Sequence, residues 1–145
     1  MRRELAIGLL CGGLAACALP PLQGPPIGYP PPVARAGDLR SARIACNEAY
    51  PARIGNYLPH AACVNAAVER FALATARYPD LIRLQEQARA QISSRIDSRA
   101  ISTHAGEAQM AEADRAITAA ERERNAARPV AANEQIARVQ AILQE

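Results

Sequence analysis

Six side chains in this 145-residue sequence are of types that bind metal, form covalent links or move protons near neutral pH: Cys11, Cys17, Cys46, Cys63, His60 and His104. Thiols offer two chemistries. They pair by oxidation in an oxidising compartment, or as thiolates they hold zinc together with imidazoles. His60 and Cys63 are three residues apart, which places both on one side of a helix. With Cys46 and His104 they make four ligands of the kind zinc accepts, although His104 is distant and the spacing follows no established zinc pattern. The carboxylates Asp97, Glu107, Glu112 and Asp114 can be paired on paper as acid and base. They fall in Ala-rich helical stretches, where carboxylates are solvated surface groups. The sequence contains no Gly-rich phosphate loop, no Gly-x-Ser-x-Gly, no His-Glu-x-x-His and no Cys-x-x-Cys. The expectation is therefore a protein without catalytic residues, cofactor or metal.

Position in the chain separates the four cysteines. Arg2 and Arg3 give a basic start, and Leu5 to Leu14 form an apolar run containing Gly8, Gly12 and Gly13. The run closes in Leu14-Ala15-Ala16-Cys17. A basic start, a short apolar core and small residues before a cleavage site are the layout of a secretory signal. Residues 5–16 are too few to span a bilayer, which takes about 20 apolar residues. Residues 14–17 resemble the lipobox of bacterial lipoproteins. That resemblance implies cleavage before Cys17, acylation of Cys17 and a chain of residues 17–145 anchored to a membrane of the cell envelope. Ala18 after the cysteine resembles lipoproteins of the outer membrane that face the periplasm; the inner membrane is the other placement. Each buried acyl CH₂ contributes ~0.8 kcal/mol, so several chains on one cysteine make a durable anchor.

If Cys11 leaves with the signal and Cys17 carries lipid, Cys46 and Cys63 remain as one pair in an oxidising compartment, and a disulfide between them is expected. Closing a loop of this size contributes about 3 kcal/mol in the chain-entropy model. Such a contribution would matter here, because the means to build a core are scarce. The sequence holds 33 Ala, four Tyr, one Phe and no Trp, and it is the large apolar side chains that carry most burial energy. A slender helical body follows from this composition. All 17 basic residues are Arg, and they alternate with 14 acids for a net charge of +3. The mixture reads as solvated helix faces rather than the basic stripe of a nucleic-acid binder.

From Ala18 to Gly37 there are seven prolines, Pro20, Pro21, Pro25, Pro26, Pro30, Pro31 and Pro32. They exclude helix and sheet and predict a disordered tether that spaces the body from its anchor. Residues 38–128 then read as two antiparallel helical hairpins, an all-α body. Asp38 caps a first helix with Leu39, Ala42, Cys46 and Ala49 on one face. A turn follows at Gly55-Asn56, and Pro59 opens a second helix reaching Tyr78, with Val64, Ala67, Val68, Phe71 and Ala74 or Thr75 as its stripe. The Cys46–Cys63 link would staple this first hairpin. A third helix over residues 80–98 carries Leu81, Leu84, Ala88, Ile92 and Ile96. A fourth over residues 103–127 carries Met110, Ala113, Ile117 and Ala120, and Pro129 ends it. In residues 129–145 a short helix over 133–144 carries Ile136, Val139 and Leu143, with its docking left open. The connection Asp97-Ser98-Arg99-Ala100-Ile101-Ser102 resembles those of small helical envelope proteins and brings no activity with it.

Three functions follow as expectations. A membrane-anchored lipoprotein acting by protein–protein contact, as scaffold or assembly accessory, comes first. Its partners would be the bilayer through Cys17, an envelope protein or a second copy of the chain, and no nucleic acid. The alternatives are a small metal or ligand binder built on Cys46, His60 and Cys63, and a secreted hydrolase inhibitor presenting Tyr57 and Leu58 at the tip of the disulfide loop.

Overall fold

The structure, a computed structural model, describes residues 37–144. The expected signal, Cys17 and the prolines of the tether lie outside the described residues. Five helices make up the fold: α1 Leu39–Ala49, α2 Tyr57–Phe71, α3 Pro79–Asp97, α4 Thr103–Asn125 and α5 Pro129–Gln144. A short 3-10 turn occupies Leu73–Thr75, and there is no strand among the described residues. Each helix packs on the next in the chain, and α5 also touches α3. The all-α architecture expected from the apolar spacing is the one observed.

Two hydrophobic cores form. The smaller lies between α1 and α2 and buries Ala42, Cys46, Cys63, Val64, Ala67 and Val68. The larger belongs to α3, α4 and α5 and buries Leu81, Ala88, Ile92, Ile96, Ala113, Ala116, Ile117, Ala120, Val139 and Ile142. The expected stripes of α3 and α4 thus face this core, with Leu84 and Met110 half-buried at its margin. Helix α5 is longer than its apolar row suggests, and it docks. Val139 is fully buried, and Ile142 goes into the core where Leu143 stays half-buried. The second hairpin is consequently completed as a three-helix unit. Each region also lends the other one large side chain. Ile82 of α3 packs on the small core, and Tyr57 of α2 packs on the large one.

The helix ends differ from their sequence signals in three places. Helix α2 begins at Tyr57, so Pro59 is its third residue; the proline still removes only an N–H that has no partner within the helix. It ends at Phe71, short of the expected Tyr78, and the expected Ala74 and Thr75 of its stripe fall in the 3-10 turn; Tyr78 becomes the N-cap of α3, held out of helical angles by Pro79. Helix α4 stops at Asn125 through a left-handed Ala127 (φ 56°), and Pro129 is the first residue of α5 instead of the terminator of α4. Arg99 (φ 60°) closes α3 in the same way. At both ends a 6→1 hydrogen bond completes the turn, Ala100 N–H to Arg95 O at 2.9 Å and Arg128 N–H to Glu123 O at 2.9 Å. Neither end carries the glycine that announces this geometry in sequence.

Gly106 is a close-approach residue on the buried side of α4. A Cβ there would meet Ile96 Cδ1 at 2.4 Å and Cγ1 at 2.6 Å, so the bare backbone is what lets α3 and α4 come together at this level. At the opposite end of the same pair, Arg124 bridges Asp80 at 2.6 Å, and both Arg77 and Arg124 stand over the Tyr78 ring at 5.4 and 5.3 Å.

Candidate functional site

Helix α1 starts where Asp38 accepts the Ser41 N–H at 2.9 Å, and its buried face presents Ala42 and then Cys46 one turn later. Cys46 joins Cys63, the seventh residue of α2, with Cα atoms 5.7 Å apart and a sequence separation of 17. The pair left once Cys11 and Cys17 are set aside is thus a disulfide, and it ties α1 to α2 behind the turn over residues 50–56. Both sulfurs are bonded to each other. His60 is engaged elsewhere, its Nε2 donating to Asn47 Oδ1 at 2.7 Å. His104 is exposed on the first turn of α4, a helix that packs only on α3 and α5. The four residues of the zinc reading are therefore not brought together, and no cluster of three or more metal-ligating side chains occurs among the described residues.

What the hairpin does assemble is a cleft. Asn47, Tyr50, Ala52, Asn56, Tyr57 and His60 line a hollow of about 280 Å³ on the turn side of α1 and α2. Burial, with Arg89 and Arg43 nearby, lowers the His60 pKa below its ordinary value, so the ring is neutral near pH 7. Asn56 closes the turn by donating from Nδ2 to Pro51 O at 2.8 Å. Gly55 supplies the one positive φ that this turn needs, 92°. Beside the hollow, Ile54 and Leu58 stand 43% and 40% exposed. That is a concentration of large apolar side chains at one end of a chain with few to spare.

The turn is held from outside by a residue the sequence placed in a plain connection. Asp97, last in α3, accepts the N–H groups of Gly55 at 2.7 Å, Leu58 at 2.8 Å and Tyr57 at 3.3 Å. A carboxylate at the end of α3 opposes that helix's dipole, but here it caps the start of α2, where a negative charge is favoured. Tyr57 and Leu58, expected at the tip of a free loop, are instead the first residues of a capped helix. Tyr57 is half-buried against the α3–α5 core, because its N–H and the neighbouring ones are fixed by Asp97, and Leu58 alone of the two is exposed. No local sequence signal marks this long-range cap.

A second polar group lies between α2 and α3. Asn65 donates to Glu86 O at 3.0 Å and accepts from Arg89, and Gln85 of α3 donates to Asp114 of α4 at 2.9 Å. Glu86 is buried, and its Oε1 has no hydrogen-bond partner. Burial and the charge of Glu69 raise its pKa, against the opposing pull of Arg89 and Arg83. The other carboxylates paired on paper, Glu107, Glu112 and Asp114, do not form a site with Asp97: they belong to α4, which does not pack on the turn. No described helix is long and apolar enough to cross a membrane. Comparison with protein-family models, curated proteins and solved structures finds no match to this chain.

Proposed function

We propose that the protein is a lipid-anchored component of the bacterial cell envelope, held by acylated Cys17, whose helical body acts by contact with another protein and not by catalysis. The observation that carries the contact reading is the end of the α1–α2 hairpin. Ile54 and Leu58 are exposed beside the Tyr50–Tyr57 hollow, and the disulfide and the Asp97 cap hold that end rigid. Rigid apolar anchors bind well because little conformational freedom is lost on association. The Cys46–Cys63 disulfide fits an oxidising compartment, and the lipobox resemblance of residues 14–17 supplies the address.

Two experiments test this. Exchanging Cys17 for Ser should release the protein from the membrane fraction and leave it at precursor size; unchanged fractionation and size would end the lipoprotein reading. A photo-crosslinking side chain at Leu58 should capture a discrete protein in intact cells, whereas the same group at Glu134, exposed near the start of α5, should not. Equal labelling at both positions would remove the contact reading. The inhibitor reading retains one specific support, the exposed Leu58 on a disulfide-closed segment, and it predicts that the captured protein is a hydrolase.

A further inference from the structure

We propose that the hairpin cleft is the seat of the chain's own proline-rich segment, residues Tyr29–Val33, folded back antiparallel to α1. The composition of the tether is the first observation. Residues 18–34 carry no charge, and they include Leu19, Leu22, Ile27, Tyr29 and Val33 among the prolines. A segment that only spaces two bodies has no use for five large apolar side chains, which favour removal from water.

The cleft is the second. Polyproline segments are recognised by aromatic-lined grooves in which side chains with polar ends hydrogen-bond the exposed carbonyls of the ligand. Tyr50 and Tyr57 supply the rings, and the side-chain amides of Asn47 and Asn56 supply N–H donors beyond the one Asn56 gives to Pro51, while His60, its N–H given to Asn47, lines the hollow without donating. Ile44, 49% exposed, lies one turn before Asn47 on the same side of α1 and continues an apolar track from the cleft toward the start of the helix.

Reach is the third. The described residues begin at Gly37, two positions before α1. Asn47 and Tyr50 lie roughly 12–17 Å along α1 from Leu39 at the helical rise. Residues 34–38 span about 15 Å when extended as polyproline. Residues 29–33 therefore arrive at the cleft with no slack to lose, and the covalent link gives them a high effective concentration there. Docking would leave only residues 18–28 between Cys17 and the folded body, which brings the body closer to the anchor.

The test uses the full mature chain with Cys17 exchanged for Ser, the disulfide intact, and a nitroxide on Gly28→Cys. The expected result is loss of the side-chain amide signals of Asn47 and Asn56 and of the His60 ring signals, with Gln91 and Gln140, on the α3–α5 face, unaffected. Ala52 is exposed, so Ala52→Arg leaves the fold intact while placing a charge in the cleft, and it should restore the lost signals. Equal signal loss at both faces, or no loss at the cleft, overturns the proposal. So does loss that appears only when labelled and unlabelled chains are mixed, which would make the occupant a second copy. The inference goes beyond the partner reading: capture at Leu58 in cells succeeds or fails independently of where the nitroxide acts.

Discussion

The α1–α2 hairpin and the α3–α5 unit solve the same problem with different means. The α3–α5 unit buries five Leu and Ile side chains, namely Leu81, Ile92, Ile96, Ile117 and Ile142. The hairpin core has none of either type among its fully buried residues and closes on alanines, two valines and the cystine. Thin apolar burial is offset there by a covalent link and by a carboxylate supplied from the other region. The hairpin is thus ordered by its own disulfide and, from outside, by Asp97 and Ile82, whereas the α3–α5 unit is ordered by its own packing.

The largest expected effect comes from attacking that packing. Ile92 is fully buried, and Ile92→Ala should cost roughly 2–5 kcal/mol. Denaturant unfolding should show both regions melting together at lower midpoint, because α3 carries the surface on which the hairpin rests. Survival of the hairpin alone would break the proposed dependence. Next is the Cys46→Ser, Cys63→Ser pair, expected to lose about 3 kcal/mol. Here hydrogen exchange should rise in α1 and α2 well before α3–α5, and a uniform rise would mean that the two regions are not distinct. Gly106→Ala forces Ile96 to move and should cost about 1–3 kcal/mol, with α4 and α5 loosened and the disulfide unaffected.

Asp97→Asn keeps the shape of the cap and removes its charge, and Asp97→Ala removes the cap. The alanine variant should lose about 1–2 kcal/mol, and amide exchange at Gly55, Tyr57 and Leu58 should reveal the loss. An unchanged rate there would show that the turn holds itself. The smallest effect is expected at Glu86. Its pKa is raised in the folded state, so folding binds its proton more tightly than the unfolded chain does. Stability from this group is present below the ordinary carboxylate range and is lost as pH rises through the raised value. Glu86→Gln should therefore stabilise slightly at pH 7, and the gain should vanish near pH 4; a gain that grows on acidification would contradict the assignment.

Much of this was legible in the sequence where the signal is local. Asp38 caps the helix it was expected to cap, and the three- and four-residue spacing of Leu81, Leu84, Ala88, Ile92 and Ile96 names the inner face of α3, with Leu84 at its margin. Ile82, off that row, packs on the α1–α2 core. The misplaced boundaries share a cause. Ala127 and Arg99 take left-handed angles without being glycine, because the 6→1 bonds and the following helix hold them there. Pro129 satisfies a terminator and a first helical residue equally well, and only the docking of α5 distinguishes the two.

By itself the sequence determined that the described body is helical, which faces are apolar and that Cys46 and Cys63 stand where one bond can join two helices; these follow from periodicity, capping chemistry and short loops, all properties of neighbours along the chain. Tertiary structure alone decided that Asp97 serves α2 instead of its own helix, that Gly106 is a contact point and that Asn47, Tyr50, Tyr57 and His60 border one hollow. Those are relations between residues far apart in the chain or on different helices, fixed by how helices cross, and no local pattern encodes a crossing.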